Sequence, residues 1–477
     1  MRGWPLPTHF YMCNKLTCRS ICVILLLALV CTNCFSQDDQ INLKDLLGAV
    51  SANAPSLQTD SAAIRIRQLQ EAATRGNRLP NARLSYQVDA GTNNNLPGGY
   101  FTYGIVPSNS RVRVEGNSST VLGDLGIASF DWEFYNFGKY EAEQHAAHAE
   151  LELEQSRFAR SKYDLQAYTI NYYLQLLRLN NLLSIQSLNI ERNSEIRKSI
   201  QSLAKSGIIA GVDTSIAEAE LSKSRLNYLE LSNQFRQVQL LLSAMSRLDA
   251  DKIRPDTNFT AELLSYYTAS AQNLSDAEDT ASHPTILYYK SAYSNSLAKE
   301  ELIRKSYNPK LSLQGAVWGR GSSVSAADEF RALSKGIGFE RGNYLVGVGV
   351  TYNIFDLKRK KLQLNVQKAA TDLSAKQLSE QQQLLSLSIR QIDTELEISR
   401  QRLQEIPHQL EAAQAAYRQK LSLYKNGLTN IVDLNAAVSI LYRAETDYTN
   451  ANYNYCKALL QKAVNENGID ALLNSLK

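Results

Sequence analysis

The feature that most limits the fold of this chain is an internal duplication. Two segments, SGIIAGVDTS and YKNGLTNIVDL, each place an aspartate six residues after a glycine. Gly207 and Asp213 in the first segment recur as Gly427 and Asp433 in the second, a separation of 220 residues in both cases. A chain of 477 residues has the length of about three ordinary domains. Repetition at a fixed separation instead predicts two copies of one structural unit.

The duplication extends through most of the chain. The segment WEFYNFGK recurs as YNIFDLKR, again 220 residues later, whereas Pro55 and Pro80 have counterparts 229 residues later. The separation therefore changes only between Pro80 and Trp132, where one copy has a longer loop. We predict a first repeat at 39–249, an acidic linker at 250–282, a second repeat at 283–466 and a tail at 467–477.

The N-terminal segment is typical of a secretory signal. Three basic residues precede the apolar run ICVILLLALVC, and small residues flank an expected cleavage site after Ser36. The run is shorter than the roughly 20 residues that a membrane-spanning helix needs. We therefore expect residues 1–36 to be removed on export. Five of the six cysteines lie in this segment, so the mature chain would keep only Cys456 and form no internal disulfide.

Long stretches without proline predict very long helices. No proline lies between Pro107 and Pro255, and Pro407 is the only one after Pro309. An interior proline costs a helix about 3 kcal/mol, so Pro407 is expected to kink its helix or to mark a junction. The predicted helices are first helices at Leu43–Arg75 and Thr285–Lys305, long helices at Lys139–Lys205 and Lys358–Lys425, and return helices at Thr214–Arg247 and Leu434–Asn465.

Each repeat also contains two segments whose apolar residues alternate with polar or small ones, which is typical of strands. In the last of them every second residue from Tyr344 to Ile354 is apolar, and Gly347 and Gly349 lie between. An apolar face opposite a small, polar one indicates a barrel strand in lipid, with a soluble β-sandwich fragment as the alternative. The predicted strands lie at about 82–90, 125–135, 310–318 and 344–355, and Tyr135, Phe137 and Phe355 at their ends would form an aromatic girdle.

Four strands cannot close a barrel, and an open sheet edge is not stable in hydrocarbon. The predicted barrel must therefore be shared between chains, and three chains would supply twelve strands. The predicted fold is mainly α with a membrane β-barrel portion. Each repeat would be a β-hairpin followed by a long helical hairpin, whose leucines and tyrosines recur at the three- and four-residue intervals of coiled coils.

The chain resembles the TolC-type outer-membrane efflux channels. The resemblance rests on WEFYNFGK, NIFDLKRKK, SGIIAGVDTSIAEAEL and YKNGLTNIVDLNAAVSILYRAETDYTNANYNY, and it covers almost all of the chain after the signal. It implies a homotrimer whose twelve-stranded barrel in the outer-membrane lipid continues into a twelve-helix periplasmic tunnel. It also implies two protein partners, a periplasmic adaptor and an inner-membrane transporter of the RND or ABC type. The channel itself would perform no chemistry.

The glycine–aspartate segments are expected at the periplasmic tips, where each helical hairpin turns. Gly207 and Gly427 would supply the backbone freedom that the turn needs. Asp213 and Asp433 precede or begin a return helix, where an aspartate caps free N–H groups. In a threefold assembly each aspartate would also contribute to a ring of three carboxylates at the tunnel mouth, which favours cations.

The resemblance implies that these residues form a constriction at the tunnel mouth. Tyr424 corresponds to a constriction tyrosine, and Asp213 and Asp433 correspond to constriction aspartates. Two positions depart from the family, because Thr429 replaces an arginine of the gate and Ala436 replaces a second aspartate. We therefore hypothesise that neutral hydrogen bonds or packing, not a salt-bridge latch, close this mouth.

No pattern after the signal indicates an enzyme, since GxSxG, HExxH and CxxC motifs are missing from the sequence there. His145 and His148 stand three residues apart, but no cysteine or carboxylate set completes a zinc site, and an exposed helix surface is the simpler interpretation. A net charge of +4, without a basic patch interleaved with aromatic residues, gives no indication of nucleic-acid binding. We predict no catalytic residue, metal or cofactor.

Two other functions fit parts of this pattern. A channel for type I protein secretion would have the same architecture, because the pump selects the cargo. A periplasmic coiled-coil scaffold or adaptor without a barrel would explain the long helices, but not the alternating strand at 344–355. We therefore predict the outer-membrane channel of a tripartite export system, located in the cell outer membrane with a periplasmic tunnel.

Overall fold

The computed structural model describes residues 41–92, 94, 115–207, 210–257, 259, 263 and 280–475. The predicted signal at 1–36 lies outside the described residues, as do most of the loop after the first strand and most of the predicted linker at 250–282. Within the described part, the same order of elements occurs twice: a helical segment, two strands, a long helix and a return helix.

The elements of the two repeats correspond one to one, except at the first helix. In the first repeat, α1 (Leu43–Asn53) and α2 (Pro55–Gly76) precede β1 (Asn81–Thr92), β2 (Thr120–Tyr135), α3 (Lys139–Lys205) and α4 (Gly211–Ser246). In the second repeat, α5 (Pro284–Ser306) precedes β3 (Lys310–Ser322), β4 (Arg341–Thr351), α6 (Asp356–Lys425) and α7 (Ile431–Asn465). A short helix, α8 (Ile469–Ser475), follows within the segment predicted as a tail.

The prediction of one first helix over Leu43–Arg75 is wrong, because the chain forms two helices there. Asn42 caps α1, and its side chain accepts a hydrogen bond of 2.8 Å from the N–H of Asp45. Ala54 has φ −57° and ψ 124°, close to the extended conformation that a residue before proline favours. Pro55 then begins α2, so the helix is interrupted at the proline.

The two long helices give the molecule its length. α3 contains 67 residues and α6 contains 70, so each is about 100 Å long at 1.5 Å per residue. α6 continues through Pro407, so this proline is not a junction between two helices. The proline removes one backbone hydrogen bond, and close to it the Gln409 side chain donates a hydrogen bond of 3.3 Å to Asp447 of α7, which packs along α6. In the part of the chain that the structure describes, none of the helices combines the length and apolar character needed to cross a membrane.

The four strands form one antiparallel sheet in the order β1–β2–β3–β4. β2 and β3 pair across the boundary between the repeats, and β1 and β4 are the two edge strands. β4 ends at Thr351, where its partner β3 begins at Lys310. Tyr352 and Ile354, which the sequence pattern placed in this strand, lie instead in the connection to α6.

The two faces of the sheet differ in polarity. Leu84 and Tyr344 lie on one face and are 84% and 81% exposed, so they point away from the core of the chain. Because successive strand residues alternate between faces, the strand register assigns every second residue to this surface, which we call the apolar face. One row of the apolar face is Leu84, Ala128, Val317 and Tyr344, and one row of the opposite face is Asn81, Asp131, Gln314 and Gly347.

The main hydrophobic core lies among the helices. Tyr173 and Leu176 of α3 are fully buried there, together with Leu459 of α7. α1 packs against the same place, and the hydroxyl of Tyr173 donates a hydrogen bond of 3.0 Å to the carbonyl of Ile41. This core joins the start of the first repeat to the return helix of the second, and so fixes the two helical hairpins beside each other.

Candidate functional site at the tips of the helical hairpins

Both helical hairpins turn at a glycine with positive φ. Gly207 follows α3 with φ +73°, and Gly427 follows α6 with φ +72°. The N–H of Gly427 donates to the carbonyl of Tyr424 at 3.0 Å, which helps to satisfy the end of α6. Apart from each glycine and its chain neighbours, no heavy atom of the described residues lies within 4 Å of a Cβ built on it. The requirement for glycine is therefore the backbone conformation and not the available space.

The two return helices begin differently. The side chain of Asn430 caps α7 and accepts a hydrogen bond of 2.8 Å from the N–H of Asp433. Ala210 takes the corresponding position before α4 and offers no side-chain cap. The expectation that Asp213 and Asp433 cap these helices was therefore wrong. Each is the third residue of its helix, where its negative charge still favours the positive helix end.

Asp433 is held by two side chains of its own hairpin. Its Oδ2 accepts hydrogen bonds from the Lys420 ammonium at 2.9 Å and from the Thr429 hydroxyl at 3.0 Å. The hydrogen bond from Lys420, followed by that from Thr429, lowers the pKa of the Asp433 carboxyl. Thr429 and Asp433 are thus hydrogen-bonded within one hairpin, and the ion pair of Asp433 with Lys420 was not foreseen.

The sequence did contain a signal for Lys420. It stands seven residues before Gly427, and Asp433 stands six residues after it. Residues at nearly equal distances from the turn of an antiparallel hairpin lie opposite each other, so a basic residue at 420 is placed to meet an acidic one at 433.

Tyr424 is buried in the last turn of α6. Burial, followed by the negative charge of Asp213, raises the pKa of its phenol, so the two predicted constriction residues of different repeats are neighbours. The Tyr424 hydroxyl is buried and makes no hydrogen bond with any residue that the structure describes. The tyrosine belongs to a hydrophobic cluster, the tip core, formed by Ile196, Ile200, Ala217, Tyr424, Ile431, Leu434 and Val438.

A second contact between the repeats lies farther from the turn. Arg192 of α3 forms an ion pair with Glu445 of α7, and both side chains are largely buried. The Arg192 guanidinium also lies over the ring of Tyr417, 6.0 Å from its centroid. The sequence gives no comparable signal for this pair, because the two residues belong to different repeats and to no shared motif.

The tips expose apolar side chains among polar ones such as Lys425 and Asn430. Val212, Leu428 and Val432, which we call the tip surface, are 62%, 71% and 64% exposed. Ala436, at the position of the missing aspartate, is exposed as well. In the described ranges, no group of three or more His, Cys, Asp or Glu side chains is arranged to hold a metal ion. The tips therefore expose large apolar side chains, and the described residues there include no metal-binding group.

Comparison with known proteins identifies this architecture. The model of the family described as "Outer membrane efflux protein" matches residues 46–246 and 280–461, one segment for each repeat. The chain belongs to the outer membrane efflux protein family. As such, it is an outer-membrane channel of a tripartite export system with a periplasmic tunnel. The predicted family, fold class, localisation and general function are thereby confirmed. No curated protein sequence matches the chain.

Solved structures of outer-membrane channels have the same fold. The CmeC channel of Campylobacter jejuni superposes with a TM-score of 0.70 at 15% identity, over 93% of this chain and 92% of CmeC. VceC of Vibrio cholerae gives 0.68 at 14% identity, over 89% and 96%. The open state of the MtrE channel of Neisseria gonorrhoeae gives 0.63 at 18% identity, over 89% of each chain. This efflux channel thus shares the fold of these channels along almost its whole length.

Proposed function

We propose that three copies of this efflux channel assemble into a homotrimer with a closed twelve-stranded barrel. The observation that supports this most directly is a four-stranded sheet with an exposed apolar face and two unpaired edges, β1 and β4. An unpaired edge exposes backbone groups that hydrocarbon cannot satisfy. Pairing of β4 with β1 of a neighbouring copy removes every edge, and threefold repetition is typical of the family.

The tips of the helical hairpins close the periplasmic mouth of this trimer. Tyr424 and the tip core hold the two hairpins of one chain together, while Asp213, Thr429 and Asp433 lie around the entrance. Lys420 balances the charge of Asp433, whereas no salt bridge to Asp213 is present among the described residues. The acidic character of the mouth therefore comes more from Asp213 than from Asp433, and the mouth prefers cations.

The partners of the channel are a periplasmic adaptor and an inner-membrane transporter of the RND or ABC type. The tip surface supports the adaptor contact, because three large apolar side chains at the end of a soluble helical hairpin favour a protein neighbour. We propose that the channel conducts substrates without a catalytic residue, metal or cofactor of its own.

Ion conductance tests this proposal most directly. The purified protein is first checked for its mass by light scattering and then inserted into planar bilayers. We expect a trimer with small, cation-selective steps, and we expect Asp213→Asn to reduce that selectivity more than Asp433→Asn does. A monomer or dimer without conductance would contradict the barrel. Equal effects of the two substitutions would contradict the unequal roles of the aspartates.

A further inference from the structure

The connection between β3 and β4 lies against the sheet instead of extending away from it. We call residues 323–340 the strap. The N–H of Ser323 donates to the carbonyl of Leu122 at 2.8 Å, and the N–H of Leu122 donates to the Ser323 hydroxyl at 2.9 Å. Near the other end of the strap, the N–H of Gly338 donates to Oδ2 of Asp124 at 3.0 Å. Both ends of the strap are therefore fixed to β2.

The strap places a phenyl ring in a depression made by glycines. A Cβ on Gly126 would lie 2.5 Å from the Phe339 ring, and a Cβ on Gly319 would lie 2.7 Å from it. Any side chain at either position would displace the ring. A Cβ on Gly321 would likewise collide with the backbone carbonyl of Gly338. These glycines of β2 and β3 thus form a shallow pit that the strap fills.

The strand register shows on which side of the sheet this pit lies. Gly126 and Gly319 are paired with each other, two residues along from the paired Ala128 and Val317. Residues two apart in a strand point to the same face, so the pit belongs to the apolar face. The strap therefore covers the outer wall of the sheet and not the side that would line a pore.

The strap covers part of the apolar face and exposes apolar side chains of its own in its place. Leu333, Ile337 and Phe339 are 47%, 58% and 60% exposed. The Phe339 ring contacts Tyr86 of the apolar face edge to face, with ring centroids 6.1 Å apart. The polar group beneath, Asp124, is buried and accepts a hydrogen bond of 3.1 Å from the Tyr86 hydroxyl. Apolar side chains thus continue from the strands onto the strap, where they lie beside the exposed charged residues Arg331, Lys335 and Glu340.

The position of the strap along the strands agrees with the thickness of a membrane. Gly126 lies eight residues before Phe134 in β2. Eight residues span about 27 Å along a strand, or about 20 Å along the membrane normal at a tilt of roughly 40°. Since the apolar band of such barrels is about 25 Å tall, Phe339 lies inside the band, roughly 5 Å from its far edge, if Phe134 lies at the near edge.

We propose that the strap is a lipid-binding surface whose occupant is the acyl chains of the outer leaflet. Leu333, Ile337 and Phe339 lie among these chains and extend the apolar face where its own residues are glycines. The inference rests on the proposed function, because it requires the sheet to be part of a barrel in lipid. Continuity with the apolar face supports lipid over water, since an exposed loop would not normally present three large apolar side chains.

Site-directed spin labelling of the full exported chain in phosphatidylcholine–phosphatidylglycerol vesicles tests this inference. Cys456 is buried and its pKa is raised to about 12, so it does not compete for the label. Labels are placed with Ile337→Cys on the strap, Val346→Cys on the apolar face and Asn343→Cys on the opposite face. For each label, collisions with oxygen, which concentrates in lipid, are compared with collisions with a water-soluble nickel chelate.

We expect the ratio of oxygen to nickel collisions to be several times higher at Ile337→Cys and Val346→Cys than at Asn343→Cys. Water exposure at Ile337→Cys alone, with Val346→Cys still in lipid, would overturn the strap inference and leave the barrel intact. Water exposure at both positions would overturn the proposed barrel and the strap inference together.

A second substitution separates the strap from the strands. Gly319→Val fills the pit and displaces Phe339. We expect it to move the label at Ile337→Cys into water while the label at Val346→Cys keeps its ratio. An unchanged ratio at Ile337→Cys would show that the pit does not hold the strap, and would overturn the inference.

Discussion

Arg192 of α3 and Glu445 of α7 form a two-pronged ion pair, with guanidinium nitrogens 2.8 and 2.6 Å from the two carboxylate oxygens. The pair joins the helical hairpin of the first repeat to that of the second. Arg197, one and a half turns along α3, instead pairs with Glu218 of α4 inside the first hairpin at 2.8 Å. The two arginines of the same helix thus make different contacts: Arg192 connects the two repeats, and Arg197 connects two helices of one repeat.

Arg192→Met is expected to weaken the contact between the two hairpins. Removal of one partner leaves the largely buried Glu445 carboxylate unpaired, at a cost of about 2 kcal/mol, below the roughly 3–5 kcal/mol of a fully buried pair. We expect larger mean conductance in planar bilayers and a lower melting temperature. Arg197→Met is the matched control and should leave conductance unchanged. Equal effects of both substitutions would show that Arg192 has no special role between the repeats.

Lys420→Met is expected to raise the cation selectivity of the channel. The substitution removes the group that contributes most to the lowered pKa of Asp433, so the carboxylate loses its counter-charge and its pKa rises. The measurement is the reversal potential in a salt gradient at neutral pH, where Asp433 stays ionised. Lys425→Met removes an exposed charge near the same turn and serves as the control. A reversal potential that Lys420→Met does not alter would place Asp433 away from the ion path.

Tyr424→Phe and Tyr424→Ala are expected to differ strongly. The buried hydroxyl has no hydrogen-bond partner among the described residues, so its removal should change the stability of the tips by less than about 1 kcal/mol. Truncation to alanine leaves a cavity in the tip core and should cost about 3–5 kcal/mol. Hydrogen exchange of the tip amides measures both changes. Fast exchange in Tyr424→Phe would reveal a hydrogen bond of this hydroxyl in the assembled channel.

Gly427→Ala is expected to destabilise the hairpin turn, whereas Gly211→Ala should stabilise its helix. Gly427 has φ +72°, a conformation that costs an alanine about 1–2 kcal/mol. Gly211 begins α4, and apart from its chain neighbours and the backbone of its own helix, no described atom lies within 4 Å of a Cβ built on it. There alanine restricts the unfolded chain and adds up to about 1 kcal/mol. Hydrogen exchange at the two tips distinguishes the effects, and a gain in stability in both variants would contradict the turn assignment.

The packing around His283 predicts a loss of stability in acid. Its Nε2–H donates to the carbonyl of Val464 at 3.2 Å, and its Nδ1 accepts from the N–H of Thr285, also at 3.2 Å. Burial lowers the pKa of this imidazole below its usual 6.5, although the hydrogen bond with the Val464 carbonyl and then the nearby Asp164 carboxylate oppose the shift. His283 therefore binds a proton more weakly in the folded chain than in the unfolded chain. As a result, the free energy of unfolding falls as the pH drops below about 6.5.

A substitution isolates this effect. His283→Asn keeps an acceptor for the N–H of Thr285 but does not titrate. We expect thermal melts between pH 7 and pH 5 to show a smaller acid shift in His283→Asn than in the unmodified channel. His408→Asn, at an exposed position in the last third of α6, should behave as the unmodified channel does. The same acid shift in all three proteins would assign the pH dependence to other groups.

The repeat symmetry of the sequence predicted the hairpins well, because constant separations align whole elements. It predicted the tips less well, because residues that are 220 positions apart there have different side chains in the two repeats. Lys420, Tyr424 and Asn430 correspond to Ile200, Ala204 and Ala210. The second repeat therefore has the salt bridge, the buried phenol and the helix cap, and the first has none of these groups at those positions. Equivalent aspartates thus have unequal surroundings.

The strap was not predictable from strand alternation. Alternation placed Gly347 and Gly349 on the polar face, where small residues fit a barrel interior. Gly126 and Gly319 are exceptions, because these small residues lie on the apolar face. There another segment of the chain covers them. A glycine on an apolar strand face marks a place where something approaches closely, but the identity of the covering residue, Phe339, depends on a loop path that only the folded chain defines.

The tip core has a consequence for how the channel responds to its partners. It takes side chains from all four long elements of the two hairpins, α3, α4, α6 and α7. Packed cores rearrange between discrete arrangements and do not stretch continuously. We propose that the tips close the tunnel mouth; dilation that separates the two hairpins would then require this core to be rebuilt in one cooperative step, so that the aperture would have two positions, shut and open.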